Sequence, residues 1–402
     1  MNLGGLTAGL VVAAMVCLAG ATRAAEPPRG IIALNQFGQC PPSGPCGALR
    51  PKAAANTAIT GLMIRLNWKD MQSGPKASDI DWTMTDNVFA QAGKDRFVVL
   101  SFVPGIQTPD WAMDEIPKGG KISLCIPYGS KADVGNTRTV PKPWNATYLK
   151  LWYGFLKAVS DHYASNPQFL MIAASGPTSV SEEMSLPGAQ HSSKVCPIKD
   201  GVQAWMNAGY TPAKYEGAWS DVFSKFAALF PNQYVSLALY DGLPIGSSGN
   251  NDSGEVSKTP QDVISAGLSA LGGRFAVEAN GLVSTSPKNA AYRTVKSYHG
   301  RAVTGFELAT SAVTRPQTEG GVSNSAEALC QALRAGVEAN VDFIEIYQED
   351  ASSGDASVQS VLDTFAKQLQ PPIMFPRPGR PVPFDRRLSI ATGGASPATV
   401  CP

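Results

Sequence analysis

The sequence predicts an α/β chain folded as a single (β/α)8 TIM barrel with long loops on the C-terminal face of its strands. Three observations carry this expectation. Eight short apolar segments with the length and composition of buried strands alternate with segments whose apolar residues recur at helical spacing. Parallel neighbours need such helical crossovers, and Gly, Pro and Asp gather in the connections. Finally, 402 residues with 44% hydrophobic and only 16% charged side chains suffice for one large core. No repeat at a fixed period points to a solenoid instead.

In chain order the expected strands are GIIALNQFG (30–38), GLMIRLNW (61–68), RFVVLSFVPG (96–105), the start of FLMIAASGPTSVSEEMSLP (169–187), QYVSLALYDG (233–242), RFAVEANGLVS (274–284), AVTGFELATS (302–311) and VDFIEIYQED (341–350). Between them lie the expected helices. They are TMTDNVFAQAGKD, the strongly amphipathic YLKLWYGFLKAVSDHYAS, a segment around 219–230, TPQDVISAGLSALGG, AAYRTVKSYHGR, NSAEALCQALRAGVEAN and SVQSVLDTFAKQLQ. In the fourth of these, Thr259 reads as the N-cap and Gly272 as the stop. Segment 40–51, the stretch through Cys125 to Pro143 and the stretch through Cys196 and Trp205 read as loops. The barrel domain is expected over 30–370, and 371–402 as an irregular Pro-rich tail.

An apolar run at 3–21 ends in Ala19, Gly20, Ala21, Thr22 and Ala24, the pattern of a signal peptide over 1–24. No later run is long enough to span a bilayer, so no stable membrane span is expected after cleavage. Seven cysteines become six once Cys17 is removed, an even number suited to an oxidising compartment. The expected location is therefore secreted or periplasmic. Among six cysteines, Cys40 with Cys46 closes a Pro/Gly loop, Cys125 with Cys196 joins loops after neighbouring strands, and Cys330 with Cys401 remains. None stands with His at metal-ligand spacing, so no metal is expected. Lys and Arg number 33 against 32 Asp and Glu, a balance that points away from nucleic acid and towards a neutral partner. Phosphate-loop, dinucleotide and G-x-S-x-G motifs are absent, and no cofactor is implied.

Alternation along the strands sorts the side chains. Outward ones meet helices, and inward ones fill the barrel or line its C-terminal mouth. In the second strand Ile64, Leu66 and Trp68 alternate with Arg65 and Asn67. By the same reading Glu278, Asn280, Glu307, Glu345 and Tyr347 point inward. Glu182 and Glu183 join them from the loop after the fourth strand. So many buried polar groups are costly in a mere core, and a ligand site is the physical resolution. Trp68 and Trp111, at or just beyond strand ends, offer apolar faces for stacking on sugar rings.

Two carboxyls facing one mouth suit glycoside hydrolysis, in which one protonates the leaving oxygen and the other attacks or directs water. The chain resembles the clan A glycoside hydrolases, barrels whose acid/base Glu follows strand four and whose nucleophile Glu ends strand seven. Glu183 and Glu307 match those positions. RLNWKDMQSGPKASDIDW resembles the R-x-x-W-x-x-x-x-P-x-x-G-x-x-D/W pattern of family 42 and related β-galactosidase-type enzymes, and VPGIQTPDWAM resembles their Pro-Asp-Trp loop. The resemblance implies a hydrolase of a neutral oligosaccharide or polysaccharide, with Glu307 as nucleophile and Glu183, with Glu182 as the alternative, as acid/base; carboxyls about 5 Å apart would give retention and about 6.5–9.5 Å inversion. Arg65, Asn67, Glu182, Glu278, Asn280, Glu345 and Tyr347 would then bind substrate or orient the nucleophile. The competing expectation is a non-catalytic carbohydrate-binding barrel.

Overall fold

The computed structural model describes residues 26–126, 135–178, 181–186, 194–239, 253–369 and 401. The expected leader, and the expected tail apart from Cys401, lie outside the described residues. Eight parallel strands form a closed barrel: β1 (Gly30–Gln36), β2 (Ile59–Asn67), β3 (Phe97–Val103), β4 (Phe169–Ala173), β5 (Tyr234–Leu239), β6 (Phe275–Leu282), β7 (Val303–Leu308) and β8 (Phe343–Tyr347). Each pairs with the next in the chain, and β8 closes onto β1. Surrounding helices include Thr83–Ala92, Ala146–Tyr163, Pro212–Leu229, Ala290–Ser297, Ser325–Glu338 and Ala356–Leu369. Several start on side-chain caps. Asn145, Thr211 and Asn324 accept from the backbone N–H three residues on, satisfying donors that the first helical turn leaves free.

The core has two apolar compartments, as alternation requires. Inside the barrel Ile32, Leu34, Met63, Val99, Met171, Ala276 and Phe343 pack together. Outside it Ile64, Leu66, Phe102, Val235, Val277 and Phe306 meet helix residues such as Trp152, Phe155, Trp219 and Phe223. Burying each large apolar side chain contributes about 1.5–3 kcal/mol, so the two-sided packing holds every strand from both faces. The inner compartment is apolar towards the strand N-termini. Its polar residues are displaced to the other end.

Local structure departs from the sequence expectation in three places. The helix after β5 begins at Ser253 and runs to Leu271 through Pro260, so Thr259 is not its cap; its hydroxyl donates to Glu216 at 2.8 Å. Proline keeps a helix-compatible φ and removes one N–H, and here the helix continues through it. The stretch expected as a loop after β3 contains the antiparallel hairpin Lys121–Cys125 with Thr137–Pro141, and that after β4 contains the helix Ile198–Asn207. These strands are only five residues long, and the second is exposed over its first three residues, so its sequence carries no apolar alternation. The Cys125–Cys196 disulfide ties that hairpin to the segment leading into that helix. Cys40–Cys46 and Cys330–Cys401 are also bonded. Among the described residues no helix is long and apolar enough to cross a membrane.

Gly305 lies inside the barrel on β7, two residues before Glu307, where a β-carbon would meet the Phe343 ring at 2.2 Å. Phe343 is fully buried, so its ring has little room to yield. Gly305→Ala should destabilise the protein by about 1–3 kcal/mol, the usual cost of overpacking. Urea unfolding measures this, and an unchanged midpoint would contradict the tight packing beneath the site.

Candidate active site

Five strands and one loop supply the polar end of the barrel. Arg65 (β2), Asn280 (β6), Glu307 (β7) and Tyr347 (β8) line a cavity of about 320 Å³ with Ser181, Glu182 and Glu183 from the loop after β4. That volume is in the range of small-molecule sites. Strand register sets the neighbours: Asn280 and Glu345 flank Glu307, and Gln36 of β1 stands beside Arg65. The loop is fixed by apolar anchors. Met184 and Leu186 are fully buried and the Met184 N–H donates to the Ala238 carbonyl at 3.0 Å, which leaves Glu182 and Glu183 at the cavity wall.

Arg65 is the hub. Its guanidinium bonds Glu182 Oε1 at 2.5 Å, reaches Glu307 Oε1 at 3.2 Å and also bonds Glu307 Oε2. Asn280 donates to Glu182 Oε1 at 3.3 Å, and the Tyr347 hydroxyl donates to Glu307 Oε1 at 3.3 Å. Such charge-assisted contacts fix carboxylate positions more firmly than neutral bonds do. Glu183 is held differently. The Ser181 hydroxyl donates to its Oε2 at 2.8 Å, and no cation contacts it among the described residues.

Burial dominates the acid strengths. It pushes Glu183 up to about 8, with the charges of Glu182 and Glu307 adding to the effect and Ser181 opposing it. Burial also raises Glu182, against the lowering field of Arg65. Below the cavity floor Glu278 is pushed to about 7 and Glu345 well above the usual carboxylate range, in both cases first by burial. Neither Glu345 oxygen has a hydrogen-bond partner among the described residues. A neutral carboxyl is the form such a place tolerates.

The expected binding residues separate into those that line the cavity and those that do not. Arg65, Glu182, Asn280 and Tyr347 line it, as do Glu183 and Glu307. Glu278 and Glu345 are inside the barrel but do not line the cavity, with 2% and 1% exposure. Asn67 is turned away, donating to Asp70 at 2.7 Å where the short helix Trp68–Met71 begins. Trp68 is fully buried in the outer core, edge-on to Trp111 and Trp152, with its indole N–H on Gln72. Trp111 packs on Trp68 and donates to the Gln72 carbonyl at 3.2 Å. Trp68 is a packing residue, because β2 alternation carries it outward rather than to the mouth, and half-buried Trp111 does not line the cavity. Residues not singled out from the sequence complete the site: Gln36 and Phe37 line the cavity. Behind β7, buried Glu319 accepts from the Thr310 N–H, and Asp350 accepts from the Ser311 hydroxyl and the Val313 N–H at 2.9 Å. Those bonds hold the segment following Glu307. Asp350 already stood at the end of an expected strand, but hydrogen-bonding to a distant loop leaves no local pattern.

The architecture is comparable to known structures. The catalytic domain of β-amylase from Paenibacillus polymyxa has a TM-score of 0.52 and 10% identity, covering 86% of this chain and all of that one. The fold is shared. A β-galactosidase from Bacillus circulans sp. alkalophilus has a TM-score of 0.47 and 11% identity over 85% of this chain and 56% of that one. The endoglucanase catalytic domain from Xanthomonas campestris pv. campestris gives 0.43 and 14% over 84% and 94%. No family model matches the sequence, and no curated protein does. What the β-amylase likeness shows is the fold alone.

Glu183 at about 8, Glu278 at about 7, Glu319 at about 8 and Asp350 at about 7 all lie above their ordinary values near 4, with burial the largest cause in each. The folded protein then holds protons that the unfolded chain releases. Their stabilisation is complete below about pH 4 and is lost as pH rises through 7–8. Thermal midpoints should therefore fall between pH 5 and pH 8, and Glu278→Gln should flatten that slope. Midpoints that rise over this interval would contradict the burial of these groups as acids.

Proposed function

We propose that the chain is a secreted glycoside hydrolase that cleaves a neutral glycoside with net retention, using Glu183 as acid/base and Glu307 as nucleophile. One observation carries the reading: two glutamates line one cavity in opposite settings. Glu307 is gripped by Arg65 and Tyr347, whereas Glu183, pushed to about 8, keeps its proton at neutral pH. Divergent environments of this kind mark acid and nucleophile in two-carboxyl hydrolysis. Both carboxyls line the same cavity, where one glycosidic bond can lie between them.

In the first step the Glu183 acid gives its proton to the glycosidic oxygen while a Glu307 oxygen attacks the anomeric carbon. The bond to the leaving sugar breaks and a glycosyl ester forms on Glu307. In the second step the Glu183 carboxylate takes a proton from water as that water attacks the anomeric carbon, which releases the sugar and restores both groups. Arg65 and Tyr347 keep the Glu307 carboxylate in place, and Asn280 holds Glu182. Glu182 serves to hold Arg65 rather than as the acid, because both Arg65 and Asn280 bind its Oε1. The expected leader and the three disulfides fit an oxidising compartment.

Aryl glycosides of several sugars test the reading. Glu183→Gln should lower kcat on substrates with poor leaving groups by roughly 10²- to 10⁴-fold. Glu307→Gln should abolish turnover of all of them. Because Glu183 must be protonated in the first step, activity should decline above about pH 8 in the parent protein. Saturable binding of a saccharide without turnover of any substrate would instead establish a non-catalytic carbohydrate-binding barrel. Loss of turnover in Glu182→Gln alone would move the acid role to that residue.

A further inference from the structure

Residue 37 combines two features that packing does not explain. Its φ is 60°, in the left-handed region that a β-carbon disfavours, and its ring is 49% exposed. Phe37 directly follows β1 and lines the cavity that holds Glu183 and Glu307. The surrounding loop is built to hold this conformation. Buried Asn35 donates to the carbonyls of Gln39, Gly47 and Ala48 at 3.1, 3.0 and 2.9 Å, and the Cys40–Cys46 disulfide closes the same loop. Gly38 is left-handed too, with φ 61°, and sits so close to Met84 and Leu66 that a β-carbon would come within 2.5 and 2.6 Å of them. Two successive left-handed residues make the turn, yet only the second is glycine. A turn alone would be better served by glycine at both places, so the ring at 37 is retained against the backbone preference.

We propose that Phe37 is a sugar-stacking platform at the cavity mouth. It takes the apolar C–H face of the saccharide unit next to the one held by the carboxyls, so the preferred ligand is an oligosaccharide or polysaccharide rather than a single sugar. This rests on the reading of the cavity as a saccharide site. An exposed, rigidly held aromatic loses little conformational freedom when a ring settles on it, and its face is complementary to sugar C–H groups. The polar groups below it, Arg65, Asn280 and the glutamates, supply the hydrogen bonds that a sugar in the cavity requires.

The test uses the full-length Glu183→Gln protein, in which bound saccharides survive, and calorimetric titration with monosaccharides and tetrasaccharides from β-glucan, β-mannan, xylan, galactan and starch. With the tetrasaccharide that binds best, adding Phe37→Ala or Phe37→Gly should weaken affinity roughly tenfold, the scale of one aromatic contact. Phe37→Trp should retain it, and monosaccharide affinity should change less than twofold. Thermal midpoints separate this from a structural role. Phe37→Gly relieves the left-handed backbone and should melt no lower than its parent while binding less well. Unchanged tetrasaccharide affinity in both truncations overturns the platform alone. A parent that binds none of these saccharides overturns the saccharide reading, and the platform with it.

Discussion

The guanidinium of Arg65 is the interaction on which the polar end of the barrel depends. Among the described residues facing the barrel interior it is the cation set among five carboxyls: Glu182, Glu183, Glu278, Glu307 and Glu345. Two of these, Glu182 and Glu307, touch it directly. Because β2, β7 and the loop after β4 all terminate on this one group, their relative positions are coupled. The pairing is therefore better regarded as a positioning device than as a store of stability, since buried ion pairs seldom gain much over an apolar core.

The surplus of carboxyls has a chemical consequence. One guanidinium cannot compensate them all, so the remaining groups hold protons, and the proton on Glu183 is the one next to the cavity. Glu278 and Glu345 lie under the floor, where their protonation keeps additional charge from accumulating below Glu307. The apolar compartment beneath supplies the desolvation that makes this arrangement possible. Structure and acid strength thus follow from one gradient along the barrel, apolar at the strand N-termini and ionisable at their C-termini.

Much of this was legible in the sequence because it is periodic. The eight strands follow from short apolar runs, and alternation placed Arg65, Glu278, Asn280, Glu307, Glu345 and Tyr347 inside the barrel. Alternation also assigned Trp68 to the outer face, yet its aromatic character and strand-end position suggested a sugar contact; the periodic rule was the better guide, and the ring is core. Asn67 obeyed the alternation but was captured by Asp70, a competition decided by three-residue local geometry. Phe37 carried no signal because a left-handed backbone at a non-glycine residue is a property of the closed loop and its disulfide. Glu319 and Asp350 escaped for a related reason: their partners are loop groups brought near only by the fold.

The proposal that Glu307 is the nucleophile is tested most directly by trapping its ester. Activated 2-deoxy-2-fluoro glycosides of the sugars that the protein hydrolyses should inactivate it with a stoichiometric mass increase, and peptide mapping should locate the added sugar on Glu307. A label on Glu182 or Glu183, or full turnover with no covalent adduct, would contradict the roles assigned to the carboxyls around Arg65.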